Sequence, residues 1–199
     1  MNYTREQIEI AVKSKGGVWF ASAKDYDVNI VGVRNLKSGK KVTNEFDDTL
    51  TLSYKINGVW QYHEWSITTD PGKKPTENLR QSKGVARLKP SQYRGVYAVS
   101  MHNGKYEALC QRLGNVTVYR DNNKDTVYDE KVTETGMFGI NIHRSSIYKD
   151  PTYVDYFSEG CQVFRYNSNF VEFMKIINKS KSAFGNKFTY TLIESTDIK

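Results

Sequence analysis

The sequence predicts a mainly β protein with a short N-terminal helix and one C-terminal amphipathic helix. Alternating or continuous runs of Val, Ile, Tyr and Trp, such as "DTLTLSYKINGVWQYHEWSITT" and "FGINIHR", are typical of strands. Asn57-Gly58 and Asn103-Gly104 lie inside such runs, and this dipeptide favours a two-residue hairpin turn. The sheet is therefore expected to be mostly antiparallel.

Each predicted helix has a recognisable pattern. Near the N-terminus Thr4 suits an N-cap, apolar residues follow, and Gly16-Gly17 is expected to end the helix. Near the C-terminus the stretch "NSNFVEFMKIINKSKSAFG" carries apolar residues at helical spacing, namely Phe170, Phe173, Met174 and Ile177. A last strand, "KFTYTLIES", is expected after this helix.

The length and charge of the chain limit the possible domain organisation and the possible partners. Its 199 residues suit a single domain, with 1–26 as a helix and lead-in and 27–199 as the main body. The formal net charge of +7 favours an anionic partner, either nucleic acid, a lipid surface or an anionic cell-wall polymer. The lysines and arginines are scattered, so an ordinary solvated surface is the alternative.

Targeting segments and metal centres are not expected. Charged residues interrupt the N-terminal apolar pattern, so we expect no signal peptide, and no apolar run is long enough to span a bilayer. We therefore expect a soluble protein made in the cytoplasm. Two cysteines are too few for a disulfide scaffold or a thiolate metal centre, and no cofactor is expected. The loop "DNNKDTVYD" resembles the start of a calcium loop, but a polar hairpin tip is favoured over calcium binding.

The segment 70–92 is a candidate lid. It is polar, rich in turn-forming residues, and lies between two strand-like runs. A connection of this length inside a compact domain is usually functional, so we expect a mobile cover over a site; a loose surface insertion is the alternative.

Cys161 is the candidate nucleophile, because it follows a glycine and has a histidine upstream that can act as its base. His143 ends a strand-like run where the chain enters a polar loop, a common place for catalytic side chains. His63 and His102 are expected to have structural or solvent-exposed roles. Cys110, in "EALCQRL", is expected to be a buried core residue.

The spacing of these residues resembles a known family. His143 and Cys161 are 161 − 143 = 18 positions apart, with fourteen residues between His143 and Ser158 and with Gly160 before the cysteine. This resembles the L,D-transpeptidase catalytic domain, where a histidine and a loop precede Ser/Thr-His-Gly-Cys. The phrases "FGINIHR" and "GCQVF" also resemble phage-encoded proteins. Glu159 departs from the second histidine of the motif, and Val163 departs from the arginine or asparagine of many members.

The resemblance implies a β-sandwich, with 27–199 as a catalytic domain and with Cys161 forming a thioester. A backbone carbonyl near Arg144 or Ser145 would orient His143, and both residues, with Ser158 and Glu159, are candidates for substrate binding. From the residues themselves, we expect the amides around Gly160 and Cys161 to donate to an oxyanion. We also expect His143 to lower the pKa of the thiol through an ion pair.

The expected function is acyl transfer on the peptide stems of peptidoglycan, either hydrolysis or transpeptidation, by a phage-encoded protein that acts from the virion or after release to the cell wall. Other virion proteins are further expected partners. A non-catalytic virion or wall-binding module with the same fold is the alternative. A nucleic-acid binder ranks third, because no recognition motif is present.

Overall fold

A computed structural model describes residues 2–199. Within this range the chain forms eleven strands and three α-helices. The strands are β1 (Asn29–Arg34), β2 (Asp48–Ile56), β3 (Val59–Thr68), β4 (Val85–Leu88), β5 (Ser91–His102), β6 (Tyr106–Gln111), β7 (Val116–Asp121), β8 (Val132–Gly136), β9 (Ile142–Arg144), β10 (Gln162–Phe164) and β11 (Phe188–Glu194). The helices are α1 (Arg5–Ser14), α2 (Lys73–Glu77) and α3 (Asn167–Phe184).

Eight strands close into a barrel in the order β1-β11-β5-β6-β9-β10-β3-β2. Most neighbours are antiparallel, but β1 pairs with β11, and β9 with β10, in parallel. The expectation of a mainly β, mostly antiparallel protein is confirmed. The expected β-sandwich is wrong, because the pairing of β1 with β11 joins the two edges that a sandwich would leave open.

The other three strands form a separate sheet in the order β4-β7-β8. Its strand β4 contacts the cysteine-bearing turn, because the Ala86 amide N–H donates to the Glu159 carbonyl over 3.3 Å. The candidate lid 70–92 therefore contains α2 and β4 rather than one continuous loop. Residues 70–72, 78–84 and 89–90 of the segment lack a helix or strand, and 78–84 is the longest of these stretches.

Both Asn-Gly hairpins are confirmed. Asn57-Gly58 joins β2 to β3, and Asn103-Gly104 joins β5 to β6. Both residues of each turn have positive φ, at 50° and 79° in the first turn and 49° and 68° in the second. Positive φ at both central positions is the geometry of a type I′ turn, whose twist matches that of the flanking strands.

The two terminal helices are also confirmed. The Thr4 side chain accepts a hydrogen bond from the Gln7 backbone amide. The Gln7 side chain accepts one from the Thr4 backbone amide, and the two bonds form a capping box on α1. The long helix α3 buries the apolar face predicted from the sequence, and its Phe173 packs edge-on against Trp65 of the barrel. No helix in residues 2–199 is long and apolar enough to cross a membrane.

A buried ionic cluster stabilises the start of the 70–92 segment. Arg34 and Arg87, both almost fully buried, each place a guanidinium nitrogen 2.8 Å from an Asp70 carboxylate oxygen. Arg87 also contacts Glu130 over 2.6 Å. Although burial opposes ionisation, the two guanidinium groups hold the pKa of Asp70 below its usual value.

Candidate active site

The pairing of β9 with β10 brings Cys161 and His143 to one face of the sheet. In this parallel ladder Val163 lies opposite His143, and Gln162 lies opposite Ile142. Cys161 directly precedes β10, and because side chains alternate along a strand, we expect it on the face of Val163 and therefore of His143. The two candidate residues are two positions apart along neighbouring strands, an offset of about 6.6 Å along the strand direction.

The Cys161 thiol contacts backbone groups rather than the imidazole. Its Sγ donates to the Gly139 carbonyl over 3.4 Å and accepts from the Asn141 amide N–H over 3.4 Å. Across residues 2–199 these are its two hydrogen bonds, and neither involves His143. Burial raises the pKa of Cys161 to about 11, although the Asn141 N–H favours the thiolate.

His143 is held in one tautomer. Its Nδ1 lies 2.7 Å from the Arg144 carbonyl oxygen, and because a carbonyl only accepts, Nδ1 carries the proton. Nε2 of the neutral ring is then free to accept a proton. The ring is buried, with 7% of its residue surface exposed. Burial first, and His102 second, lower the pKa of His143 to about 3.

The ion pair expected from the sequence is wrong for the resting state. A thiol whose pKa is raised and an imidazole whose pKa is lowered are both neutral at physiological pH. The reason is that both groups leave water on folding, and the sequence does not show how deeply each is buried. The expected backbone partner of the imidazole is present, since the Arg144 carbonyl orients the ring.

His102 and Asn141 complete the cluster, although no sequence motif indicated a role for either in the site. The rings of His102 and His143 stack, with centroids 4.2 Å apart and planes 21° apart. Asn141 Oδ1 accepts from the Gln111 amide, so its Nδ2 faces Nδ1 of His102 over 3.1 Å. His102 is buried and not solvent-exposed, because its ring stacks on that of His143 across the intervening strand β6.

The turn before Cys161 requires a glycine. Gly160 has φ +136°, and a Cβ at this position would lie 1.9 Å from the Ala86 carbonyl oxygen. The Gly160 amide N–H donates to Ser158 Oγ over 3.1 Å, and the Ser158 hydroxyl donates to the Cys161 carbonyl over 2.8 Å. The Cys161 amide N–H has no acceptor within residues 2–199, so of the two amides it is the one available to an oxyanion.

A cleft of about 320 Å³ reaches Cys161. The segment 70–92 forms one wall through residues of α2, β4 and the chain between them. Charged side chains also line the cleft, namely Arg80, Arg120 and Glu159. The 70–92 segment therefore lines the cleft at the cysteine, partly as packed secondary structure, and its mobility stays a prediction.

Three of the four residues predicted to bind substrate lie outside the cleft. Ser158 is buried and closes the turn. Arg144 stacks on the Tyr106 ring with its guanidinium carbon 3.9 Å from the ring centroid, and Ser145 Oγ donates to the Arg165 carbonyl. None of these three lines the cleft, and of the four candidates for substrate binding only Glu159 does. Cys110 is fully buried in β6, as expected.

The other sequence candidates do not join the site. His63 stacks between Tyr54 and Trp65, a structural role. In the loop after β7, the Asn123 side-chain amide donates to both Asp125 and Asp129. Within residues 2–199 no group of three or more His, Cys, Asp or Glu side chains has an arrangement that would hold a metal ion.

No known protein family, curated protein or solved structure matches this chain. The likeness to L,D-transpeptidases therefore rests on the residues quoted above, and the function is argued from the site itself.

Proposed function

We propose that this chain is a cysteine acyl-transfer enzyme of L,D-transpeptidase type that acts on the stem peptides of peptidoglycan. The observation that carries the proposal is the shared face of His143 and Cys161, with Nε2 of the imidazole free to accept a proton. With water as the final acceptor the enzyme is a peptidase, and with an amine it is a transpeptidase.

Because the thiol and the imidazole are both neutral at rest, the thiol would lose its proton during the attack and not before it. Cys161 Sγ would leave the Gly139 carbonyl and pass its proton to His143 Nε2 as it bonds to the substrate carbonyl carbon. The Asn141 N–H already hydrogen-bonded to Sγ favours the developing thiolate. His143 would then return the proton to the leaving amine, and the bond between the carbonyl carbon and nitrogen would break to give a thioester.

Different parts of the site would bind the oxyanion and admit the substrate. The Cys161 amide N–H is the candidate oxyanion donor, whereas the Gly160 N–H is already satisfied by Ser158. The substrate would enter through the cleft under the 70–92 segment. The formal charge of +7 would favour association with an anionic cell wall, and a phage origin would suit the hydrolytic outcome.

Digestion of purified peptidoglycan followed by mass spectrometry of the muropeptides tests the proposal. We expect new cleaved or cross-linked stems with the wild type and their loss in both Cys161→Ala and His143→Gln. Cys110→Ala is the matched control, because it removes the other thiol of the chain and should leave the products unchanged. Unchanged muropeptides with the folded wild type would refute the enzymatic proposal.

A non-catalytic wall-binding or virion structural module is the second candidate. It is favoured by the resting geometry, in which Sγ bonds to backbone groups and the pKa of the thiol is raised. This candidate predicts co-sedimentation with insoluble peptidoglycan that Cys161→Ala does not weaken, without any change in the muropeptides.

A further inference from the structure

A stack of four aromatic rings runs from the core to the surface on one side of the barrel. Trp65, His63, Tyr54 and Tyr26 follow one another, with neighbouring centroids 5.3–5.8 Å apart and planes 3–19° apart. Trp65 is buried at the inner end, whereas Tyr26 is partly exposed at the outer end. Within residues 2–199 no other ring packs on Tyr26, so a ring from a ligand can extend the stack.

The backbone holds Tyr26 in an unusual conformation. Its φ of 66° lies in the left-handed region, which a bulky side chain rarely adopts. The Tyr26 amide N–H donates to the Lys55 carbonyl over 3.1 Å, and the adjacent Asp25 accepts from the Asn57 amide over 2.8 Å, so the β2–β3 hairpin fixes this segment. Strained residues cluster at functional sites, and this one indicates a role for the ring at the surface.

Lysines without carboxylate partners surround the exposed ring. Tyr26, Lys175, Asn178, Lys179 and Ser182 line a shallow depression of about 520 Å³. Lys179 Nζ donates to the Tyr26 hydroxyl over 3.1 Å and lies 5.2 Å from the ring centroid, a weak exposed contact that a ligand can displace. In the described part of the chain neither Lys175 nor Lys179 forms an ion pair with a carboxylate.

The basic surface continues to the end of α3. Lys24 Nζ donates to the Ala183 carbonyl and lies 4.9 Å from the centroid of the Phe184 ring, which is 42% exposed. The acidic residue of α3, Glu172, contacts the two inner rings of the stack and so lies away from its outer end. The surface therefore combines three ammonium groups with two exposed rings.

Single-stranded nucleic acid matches this combination of groups. Its phosphates attract the lysines, and an unpaired base can stack on Tyr26 because every base has a π-face. A duplex hides the faces of its bases, and a ring-free anionic polymer would leave Tyr26 unused. Binding without sequence preference depends on a basic surface and stacking rings, so it needs no recognition motif.

We propose that Tyr26, Lys24, Lys175 and Lys179 bind single-stranded nucleic acid, with a base stacked on the outer face of Tyr26 and phosphates on the three ammonium groups. This binding goes beyond the proposed enzymatic function and does not rest on it. None of the four residues lines the cleft at Cys161.

Fluorescence anisotropy with labelled oligothymidylate of about 20 nucleotides tests the proposal, since one single-strand-binding domain covers about 4–16 nucleotides. We expect saturable binding with a Kd of about 1–100 µM at physiological salt, the range of binding without sequence preference. A plot of log K against log salt should have a slope of about −2, because three phosphate contacts contribute about 0.7 each.

Two double variants separate this surface from the general charge of the chain. Lys175→Gln combined with Lys179→Gln should reduce the magnitude of the salt slope by about 1.4, the contribution of two contacts. Lys37→Gln combined with Lys41→Gln is the matched control, because it removes the same charge from exposed positions outside the depression. The control should leave the slope unchanged.

Variants of Tyr26 separate stacking from charge. Tyr26→Asn removes the ring, and asparagine accepts a positive φ, so the backbone is preserved. It should weaken oligothymidylate binding about fivefold or more without changing the salt slope. Tyr26→Phe keeps the ring and should keep the affinity. Thermal unfolding checks that each variant is folded.

Oligouridylate of the same length distinguishes the sources of the strand, because tighter binding of it identifies RNA and weaker binding identifies DNA. Polyphosphate is the ring-free comparison, and Tyr26→Asn should leave its affinity unchanged. The proposal would be overturned by the absence of saturable binding to both oligonucleotides, by equal losses in the two lysine variants, or by equal effects of Tyr26→Asn on oligothymidylate and polyphosphate. The assay contains no peptidoglycan, so its outcome is independent of the enzymatic proposal.

Discussion

The alkylation profile of Cys161 distinguishes a partly buried neutral thiol from a preformed thiolate. Burial raises the pKa of this thiol from 9.0 to about 11. Below pH 9 that shift lowers the thiolate fraction about a hundredfold, because each unit of pKa is a factor of ten. Iodoacetamide reacts with the thiolate, so we expect its rate to rise about tenfold per pH unit from pH 7 to 9.5, without a plateau.

The assay follows incorporation at Cys161 in a Cys110→Ala background, with the urea-unfolded chain as the reference for an ordinary thiol. The rate for the unfolded thiol should begin to level off above pH 9, whereas the rate for the folded thiol should not. His143→Gln should leave the slope unchanged, because an imidazole with a pKa of about 3 is neutral throughout this range. A plateau between pH 6 and 8 in the wild type that disappears in His143→Gln would show an ion pair and refute the reasoning.

Three further predictions concern the fold around the site. Gly160→Ala should lower the free energy of unfolding by about 3 kcal/mol or more and abolish any wall cleavage, because the added Cβ would overlap the Ala86 carbonyl. Urea denaturation measures the free energy of unfolding, and a decrease below about 1 kcal/mol would contradict the prediction. Burial raises the pKa of Asp47 from 3.8 to about 6, so the stability contributed by its protonated carboxyl is full below pH 3.8 and lost as pH rises through 6. Asp47→Asn should therefore reduce the fall in Tm between pH 3.8 and 6, and an unchanged fall would contradict the prediction. In hydrogen exchange, residues 78–84 should exchange quickly and β4 slowly, and equal protection would show that no part of the segment is mobile.

The strands and helices were predictable where local chemistry determines them. The Asn57-Gly58 and Asn103-Gly104 turns, the Thr4 cap and the apolar face of α3 each depend on residues close in sequence. Barrel closure depends on the pairing of β1 with β11, between residues about as far apart as the chain allows, and strand patterns do not specify which edges meet.

The candidate site was predictable in its residues and not in its electrostatics. The spacing of His143 and Cys161 indicated the pair, and the parallel ladder places both on one face. Their pKa shifts depend on burial and on the stacked ring of His102, which comes from a strand far away in sequence. The contact of Arg80 with Glu159 could not be predicted either, because only the folded chain brings the two residues together.

Closure of the barrel through β1 and β11 also links thiol chemistry to the completion of folding. Strand β1 can pair with β2 early, but it meets its second neighbour only when residues 190–194 are available, so the barrel has a high contact order and is expected to close slowly. Until then Cys161 is solvated and has the reactivity of an ordinary cysteine, and burial suppresses that reactivity afterwards. A pulse of alkylating reagent during refolding would therefore show, by the loss of labelling at Cys161, when the surroundings of the thiol form relative to closure of the barrel.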